Sequence, residues 1–265
     1  MGTLLPRFHP KFLVPNGFTA FSMLFGLASV AASARGDFAL AAWMVLWGVL
    51  LDKLDGTAAR LFHASSPFGV QYDSFADFVA FGIAPAALVY YRLCDHPTFQ
   101  GPMFWALVAS AGLYVIAVSA RLARFNISDP PGGDNYFYGI PTTVMGALSA
   151  SFYLTWERQQ LPEGAMLAYP LYLVVASLLM ISSVKLPKLK LRKSLALNAF
   201  QIVNIMLAYV IAPLRLWPEV LLAQSVTYVV VGVTWCLIYP PLLETPTAGP
   251  RGLDTDETPL GHAGQ

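Results

Sequence analysis

Charge is what this chain has least of. Only 12% of its 265 residues are Asp, Glu, Lys or Arg, about half the ~25% of an ordinary soluble domain. Apolar residues make up 56% and the mean hydropathy is +0.57, a balance that excludes a soluble globular protein. Cysteine is nearly absent: Cys94 and Cys236 stand alone with no CxxC spacing, which excludes a disulfide framework and a thiolate metal site. Both are read as small apolar packing residues. Net charge is lacking too, since sixteen basic residues against fifteen acidic ones leave +1. No basic tract is long enough to suggest a nucleic-acid partner, and none is expected.

What the chain does have is long apolar runs. A helix needs about 20 mostly apolar residues to cross the hydrocarbon of a bilayer. Eight stretches qualify: 15–34, 38–60, 70–91, 102–120, 139–156, 165–184, 195–213 and 218–239. The first exceeds the ~7 to 15 residue apolar core of a cleavable signal and is followed at once by a second, so it is read as a retained span. The expected fold is therefore an all-α polytopic bundle of eight transmembrane helices. A membrane domain fills residues 1–239, and the Pro-, Thr- and acid-bearing segment 240–265 is read as a disordered tail. No internal repeat is evident.

Orientation follows from where the cations fall. With the N-terminus inside, the cytoplasmic segments hold Arg7, Lys11, Lys53, Arg60, Arg121, Arg124, Lys185, Lys188, Lys190, Arg192, Lys193 and Arg251. The outer segments hold Arg35, Arg92, Arg158 and Arg215. Twelve against four is the asymmetry of the positive-inside rule, which places both termini in the cytoplasm. The densest run, Lys185 to Lys193, lies against headgroups and is accounted for by topology.

Four of the fifteen carboxylates, Asp52, Asp55, Asp73 and Asp77, fall within 26 residues, at the end of the second span and the start of the third. The i, i+3 spacing of the first pair and the i, i+4 spacing of the second project each pair from one helix face. A connection from Leu61 to Phe68 makes the helices antiparallel neighbours, so all four acids meet near the cytoplasmic surface. Such a group repels itself unless a cation is present. Oxygen donors with no Cys or His point to a hard divalent ion, Mg2+ or Mn2+, and four acids suffice for two ions. His63, in the connection, is the nearest imidazole and is read as outside the cluster.

The acids are flanked by Gly56, Ala58, Ala59 and Gly69, residues of little bulk that let a ligand or a second backbone approach. Arg60 follows, where a guanidinium can hold a phosphate oxygen. Acids for metal and an arginine at a membrane surface point to a pyrophosphate-bearing lipid as ligand.

Written out, Asp52-Lys-Leu-Asp55-Gly56-Thr-Ala-Ala59-Arg60, eight residues, then Gly69-Val-Gln-Tyr-Asp73-Ser-Phe-Ala-Asp77 matches D-x2-D-G-x2-A-R-x8-G-x3-D-x3-D at every defined position. In this the chain resembles the CDP-alcohol phosphotransferases, which move a phosphatidyl or similar group from a CDP-linked donor to an alcohol and release CMP. Val14-Pro15-Asn16, Phe81-Gly-Ile-Ala-Pro85, Arg121-Leu-Ala-Arg124-Phe-Asn126, Tyr138-Gly-Ile-Pro141 and Leu179 to Lys185 are most similar to the integral-membrane branch that uses serine as acceptor.

The resemblance implies CDP-diacylglycerol and L-serine as substrates, a homodimer in the cell (inner) membrane, and an active site facing the cytoplasm. It implies that Asp52, Asp55 and Asp73 ligate two metal ions, with Asp77 completing the second ion's shell and serving as base. Asn16, Gly56, Ala59, Arg60 and Gly69 are implied at the CDP moiety. For a serine acceptor the α-carboxylate needs a cation, and Arg121 and Arg124, spaced i, i+3, are the candidates. Glycerol phosphate, inositol phosphate or choline are the alternative acceptors. A transporter is the alternative of another class, but its acids would lie near the bilayer midplane on repeated, broken helices. Asn198, Gln201 and Asn204, every third residue of the seventh span, are read as interhelical hydrogen-bond partners.

Overall fold

The computed structural model of the chain describes residues 10–127, 135–188 and 195–239. Arg7, Lys190, Arg192, Lys193, Arg251 and the expected tail 240–265 lie outside them. A short turn, Pro10–Phe12, leads into α1 (Leu13–Ala34) and α2 (Phe38–Leu61). Next come α3 (Pro67–Leu93), α4 (Pro102–Ile127) and α5 (Thr142–Gln159). The short α6 (Glu163–Leu167) and α7 (Tyr169–Ile181) follow, then α8 (Leu195–Leu214) and α9 (Pro218–Ile238). All eight expected stretches are helical, and the molecule is an all-α bundle. By length and apolarity α1, α3, α4 and α9 can each cross a membrane, while α7 and the 198–214 part of α8 are shorter apolar helices.

The sixth stretch differs from expectation in being broken. Pro170 has no N–H to return to the carbonyl four residues earlier, so α6 stops at Leu167 and a new helix begins at Tyr169. That helix ends at Ile181, short of 184. Beyond it, β2 (Lys185–Pro187) pairs antiparallel with β1 (Tyr136–Tyr138), Phe137 opposite Leu186. Lys185 therefore does more than flank a span. Tyr228 of α9 closes the ribbon from the other side, donating to the carbonyl of Pro187 at 2.8 Å.

The helices that carry the acids are seated by two backbone features. Within α3 the turn widens to a π-helix over Phe78–Ile83, immediately after Asp77. Pro85 cannot donate to the Phe81 carbonyl, and Tyr114 of α4, fully buried, donates to it instead at 3.0 Å. The second feature is contact without side chains: a Cβ on Gly26 of α1 would lie 2.7 Å from the Cα of Ala80, so only glycine lets α1 cross the π turn this closely. Around this crossing Phe81, Leu88, Tyr114, Met145 and Leu173 form the centre of the core.

At the periphery α8 docks on α2 through Trp47 Nε1 to the Ala212 carbonyl at 2.8 Å and Tyr209 Oη to the Leu50 carbonyl at 2.9 Å. Gln224 of α9 donates to Asn204 Oδ1 at 3.2 Å, an interhelical bond of the kind expected for that row.

Candidate active site

The end of α2 and the start of α3 are set by local signals. His63 takes the left-handed conformation at φ 49°, which lets Ala64 N reach back to the Ala59 carbonyl at 2.8 Å and close the helix. His63 thereby ends α2, and its side chain is exposed. Ser66 Oγ accepts from Gly69 N at 3.0 Å with Pro67 in the first turn, so α3 is capped and begins at Pro67 rather than at 70. The connection shortens to Phe62 through Ser66, joining the two helices as a pair whose acid-bearing ends both pack against α1.

On that pair Asp52, Asp55 and Asp73 converge, each offering a carboxylate oxygen within 4.8 Å of the others. Asp55 is buried and accepts from Thr19 Oγ1 of α1 at 2.8 Å. Asp77 is buried against Asp52 one turn deeper, and its Oδ2 accepts from Thr142 Oγ1 at 3.2 Å. Its Oδ1 is buried with no donor among the described residues. All-oxygen ligation, three converging carboxylates and the free Oδ1 of a fourth fit the donor set of a hard divalent cation.

Arg121 and Arg124 part company. Arg121 is 7% exposed, lies within electrostatic reach of Asp77 and Asp52, and has an Nε without a partner. Arg124 turns to the backbone: it donates to the carbonyls of Ile181 at 2.7 Å, Tyr138 at 3.0 Å and Met180 at 3.1 Å. It ties the end of α7 to β1, past Gly139, whose φ of +74° brings the chain close to the guanidinium.

Of the small residues, Gly56 faces open space, while Ala58 is buried. Asp52, Asp55, Gly56 and Ala59 fall at i, i+3, i+4 and i+7, one stripe of α2. A Cβ on Gly56 would meet nothing within 4 Å, so among the described residues no packing requires glycine there. Gly69 lies beside Asn16, whose Oδ1 would be 3.6 Å from an added Cβ. Asn16 also lines a cavity of about 380 Å³ with Phe12, Leu13, Gly17, Phe68 and Tyr72, the last two rings stacked at 5.7 Å. Arg60 is exposed at the end of α2. The geometry thus brings a carboxylate cluster and a buried cation to one end of the bundle, with the open groove between the starts of α1 and α3 at the same end. Thr19 and Thr142 complete it, and nothing in their sequence surroundings marks either, because each acts on a partner distant in the chain.

Residues 12–184 match the family model described as CDP-alcohol phosphatidyltransferase. The CDP-diacylglycerol--serine O-phosphatidyltransferase of Helicobacter pylori is 34% identical over 184 residues, 69% of this chain and 75% of that protein. The archaetidylserine synthase of Methanothermobacter thermautotrophicus is 32% identical over 168 residues, 62% of this chain and 64% of that one. The Saccharomyces cerevisiae protein named CDP-diacylglycerol--serine O-phosphatidyltransferase is 33% identical over 141 residues, 50% of this chain and 48% of its own. The matched region spans both acid pairs, Thr19, Arg121 and Thr142, and on these grounds the chain belongs to the CDP-alcohol phosphatidyltransferase family, as an integral-membrane enzyme of that class.

Proposed function

We propose that this enzyme transfers the phosphatidyl group of CDP-diacylglycerol to L-serine, giving phosphatidylserine and CMP. The observation that carries the proposal is the convergence of Asp52, Asp55 and Asp73 within 4.8 Å beside the buried, half-partnered Asp77, in a chain whose relatives are named for serine transfer.

Asp52, Asp55 and Asp73, with Asp77, are the residues that would hold two divalent ions, Mg2+ or Mn2+. When bound, such ions neutralise a pyrophosphate and stabilise CMP as it departs. Gly56, Ala59 and Gly69 leave room for the CDP moiety, Asn16 approaches it from α1, and Arg60 waits at the rim for a phosphate oxygen. A neutral serine hydroxyl is a weak nucleophile, so a carboxylate must take its proton as it attacks. Asp77 Oδ1, buried and without a donor, is suited to that role. The serine oxygen forms a bond to the lipid-linked phosphorus, the bond from that phosphorus to CMP breaks, and the proton passes to Asp77.

Arg121 supports serine as acceptor. It is a buried guanidinium close to Asp77 with pairing capacity in hand, and a carboxylate matches it. Arg124, engaged with three carbonyls, serves instead to hold α7 and β1 at the site. The proposed setting is the cell (inner) membrane with eight spans, both termini and the site at the cytoplasmic face, and a homodimer as the assembly. Acyl chains then stay in the bilayer while serine enters from water.

The test is CMP release by the purified protein from CDP-diacylglycerol, with serine, glycerol phosphate, inositol phosphate and choline offered in turn. Serine-dependent release that Asp77→Asn abolishes is the expected result. Product with another acceptor and none with serine overturns the acceptor, and no release with any alcohol overturns the reaction.

A further inference from the structure

The two oxygens of Asp77 have unlike surroundings. Oδ2 accepts from Thr142 Oγ1 at 3.2 Å, and Oδ1 is buried with no donor. Thr142 is itself fully buried. It is the first residue of α5, placed there by Pro141, whose φ of −58° and ψ of 142° turn the chain into the helix. One turn on, Gly146 lies against Phe81 so closely that a Cβ would stand 3.0 Å from its ring. The spacing between Thr142 and Asp77 is therefore fixed by the packing of α5 on the π turn of α3, and not by a flexible loop.

A carboxylate left to itself turns about its Cβ–Cγ bond and exchanges its oxygens. A hydroxyl has one proton to give, and a buried donor that gives it to Oδ2 holds that oxygen in place. We infer that Thr142 is a positioning residue that fixes the Asp77 carboxylate so that Oδ1, and not Oδ2, meets the acceptor hydroxyl. The inference rests on the phosphatidyl-transfer reading of the site. It does not depend on which alcohol is the acceptor.

Three variants test it. Thr142→Val deletes the hydroxyl and keeps the shape, Thr142→Ala deletes it without filling the space, and Thr142→Ser keeps it. The expected result is a kcat about 10- to 100-fold lower in Val and Ala, part of what a positioned base contributes. The KM values for both substrates should stay within about threefold and the Ser variant near wild-type kcat. Because Asp77 would also complete the shell of the second ion, Mn2+ affinity of the substrate-free protein, read by electron paramagnetic resonance titration, should fall no more than about 10- to 100-fold in Val and Ala, and kcat is therefore compared at saturating ion. Wild-type kcat in the Val variant overturns the inference. So does a Ser variant as slow as Val, or failure of both Val and Ala to fold, which would make the contact structural. Asp77→Asn assayed alongside separates the two levels. If that variant turns over normally the reading of the site fails, whereas an inactive Asp77→Asn beside a fully active Thr142→Val removes only the role of Thr142.

Discussion

Thr19 on α1 donates to Asp55 on α2 at 2.8 Å across 36 residues of sequence, and both side chains are buried. The bond fixes one oxygen of Asp55, a carboxylate of the cluster it forms with Asp52 and Asp73. Groups that orient metal-ligating carboxylates typically change affinity by about 10- to 100-fold when removed. Thr19→Val should therefore weaken Mn2+ binding by about that factor in the absence of substrate, and Thr19→Ser should restore it. A Mn2+ titration followed by electron paramagnetic resonance reads both. Unchanged affinity in Thr19→Val would remove α1 from the metal site.

The two arginines of α4 should fail differently. Arg121→Ala should raise the serine KM at least about tenfold with little change in the KM for CDP-diacylglycerol, as loss of a carboxylate partner would. Arg124→Ala strands carbonyls of Tyr138, Met180 and Ile181. These bonds are exposed or part-buried, and at about 1.5 to 3 kcal/mol for a hydrogen bond to a charged group as an upper bound their loss should show first as a lower thermal midpoint. A serine KM effect confined to Arg124→Ala would reverse the assignment.

Glycine positions give a contrast between ligand space and packing. Gly56→Leu adds bulk where nothing stands within 4 Å, so the protein should fold and keep its thermal midpoint while the KM for CDP-diacylglycerol rises. Gly26→Leu drives bulk into the backbone of Ala80, 2.7 Å from the new Cβ, and should not yield folded protein. Equal tolerance at both positions would mean that the open face of Gly56 is not where donor binds.

Much of this site could be read from the sequence because its chemistry is local. Asp52, Asp55, Gly56, Ala59, Arg60, Gly69, Asp73 and Asp77 lie on two consecutive helices, and their spacing alone places them on facing stripes. Apolar run length gave the helices for a similar reason. Apolar run length starts α3 late, at 70, because Ser66 and Pro67, which cap and open it, are not apolar enough to count in a hydropathy run. The ribbon of Tyr136–Tyr138 and Lys185–Pro187 escaped because three-residue strands carry too little alternation to register. Thr19 and Thr142 were invisible for a different reason. A threonine in a membrane helix is ordinary, and what makes each significant is a carboxylate 36 or 65 residues away.

Chelation should stop turnover altogether. Four acids held this close need positive charge among them, so EDTA should abolish CMP release, and added Mg2+ or Mn2+ should restore it in wild type. Restoration should fail in Asp52→Asn, Asp55→Asn and Asp73→Asn at ion concentrations that saturate the wild-type enzyme. Activity that survives EDTA would contradict the assignment of those acids as metal ligands.

The most direct measurement is the product itself. Purified protein in vesicles that contain CDP-diacylglycerol, supplied with Mg2+ or Mn2+ and isotopically labelled L-serine, should release CMP and form labelled phosphatidylserine in equal amounts, with neither product from Asp77→Asn. CMP release without label in the lipid, or label in the lipid with Asp77→Asn as active as wild type, would contradict it.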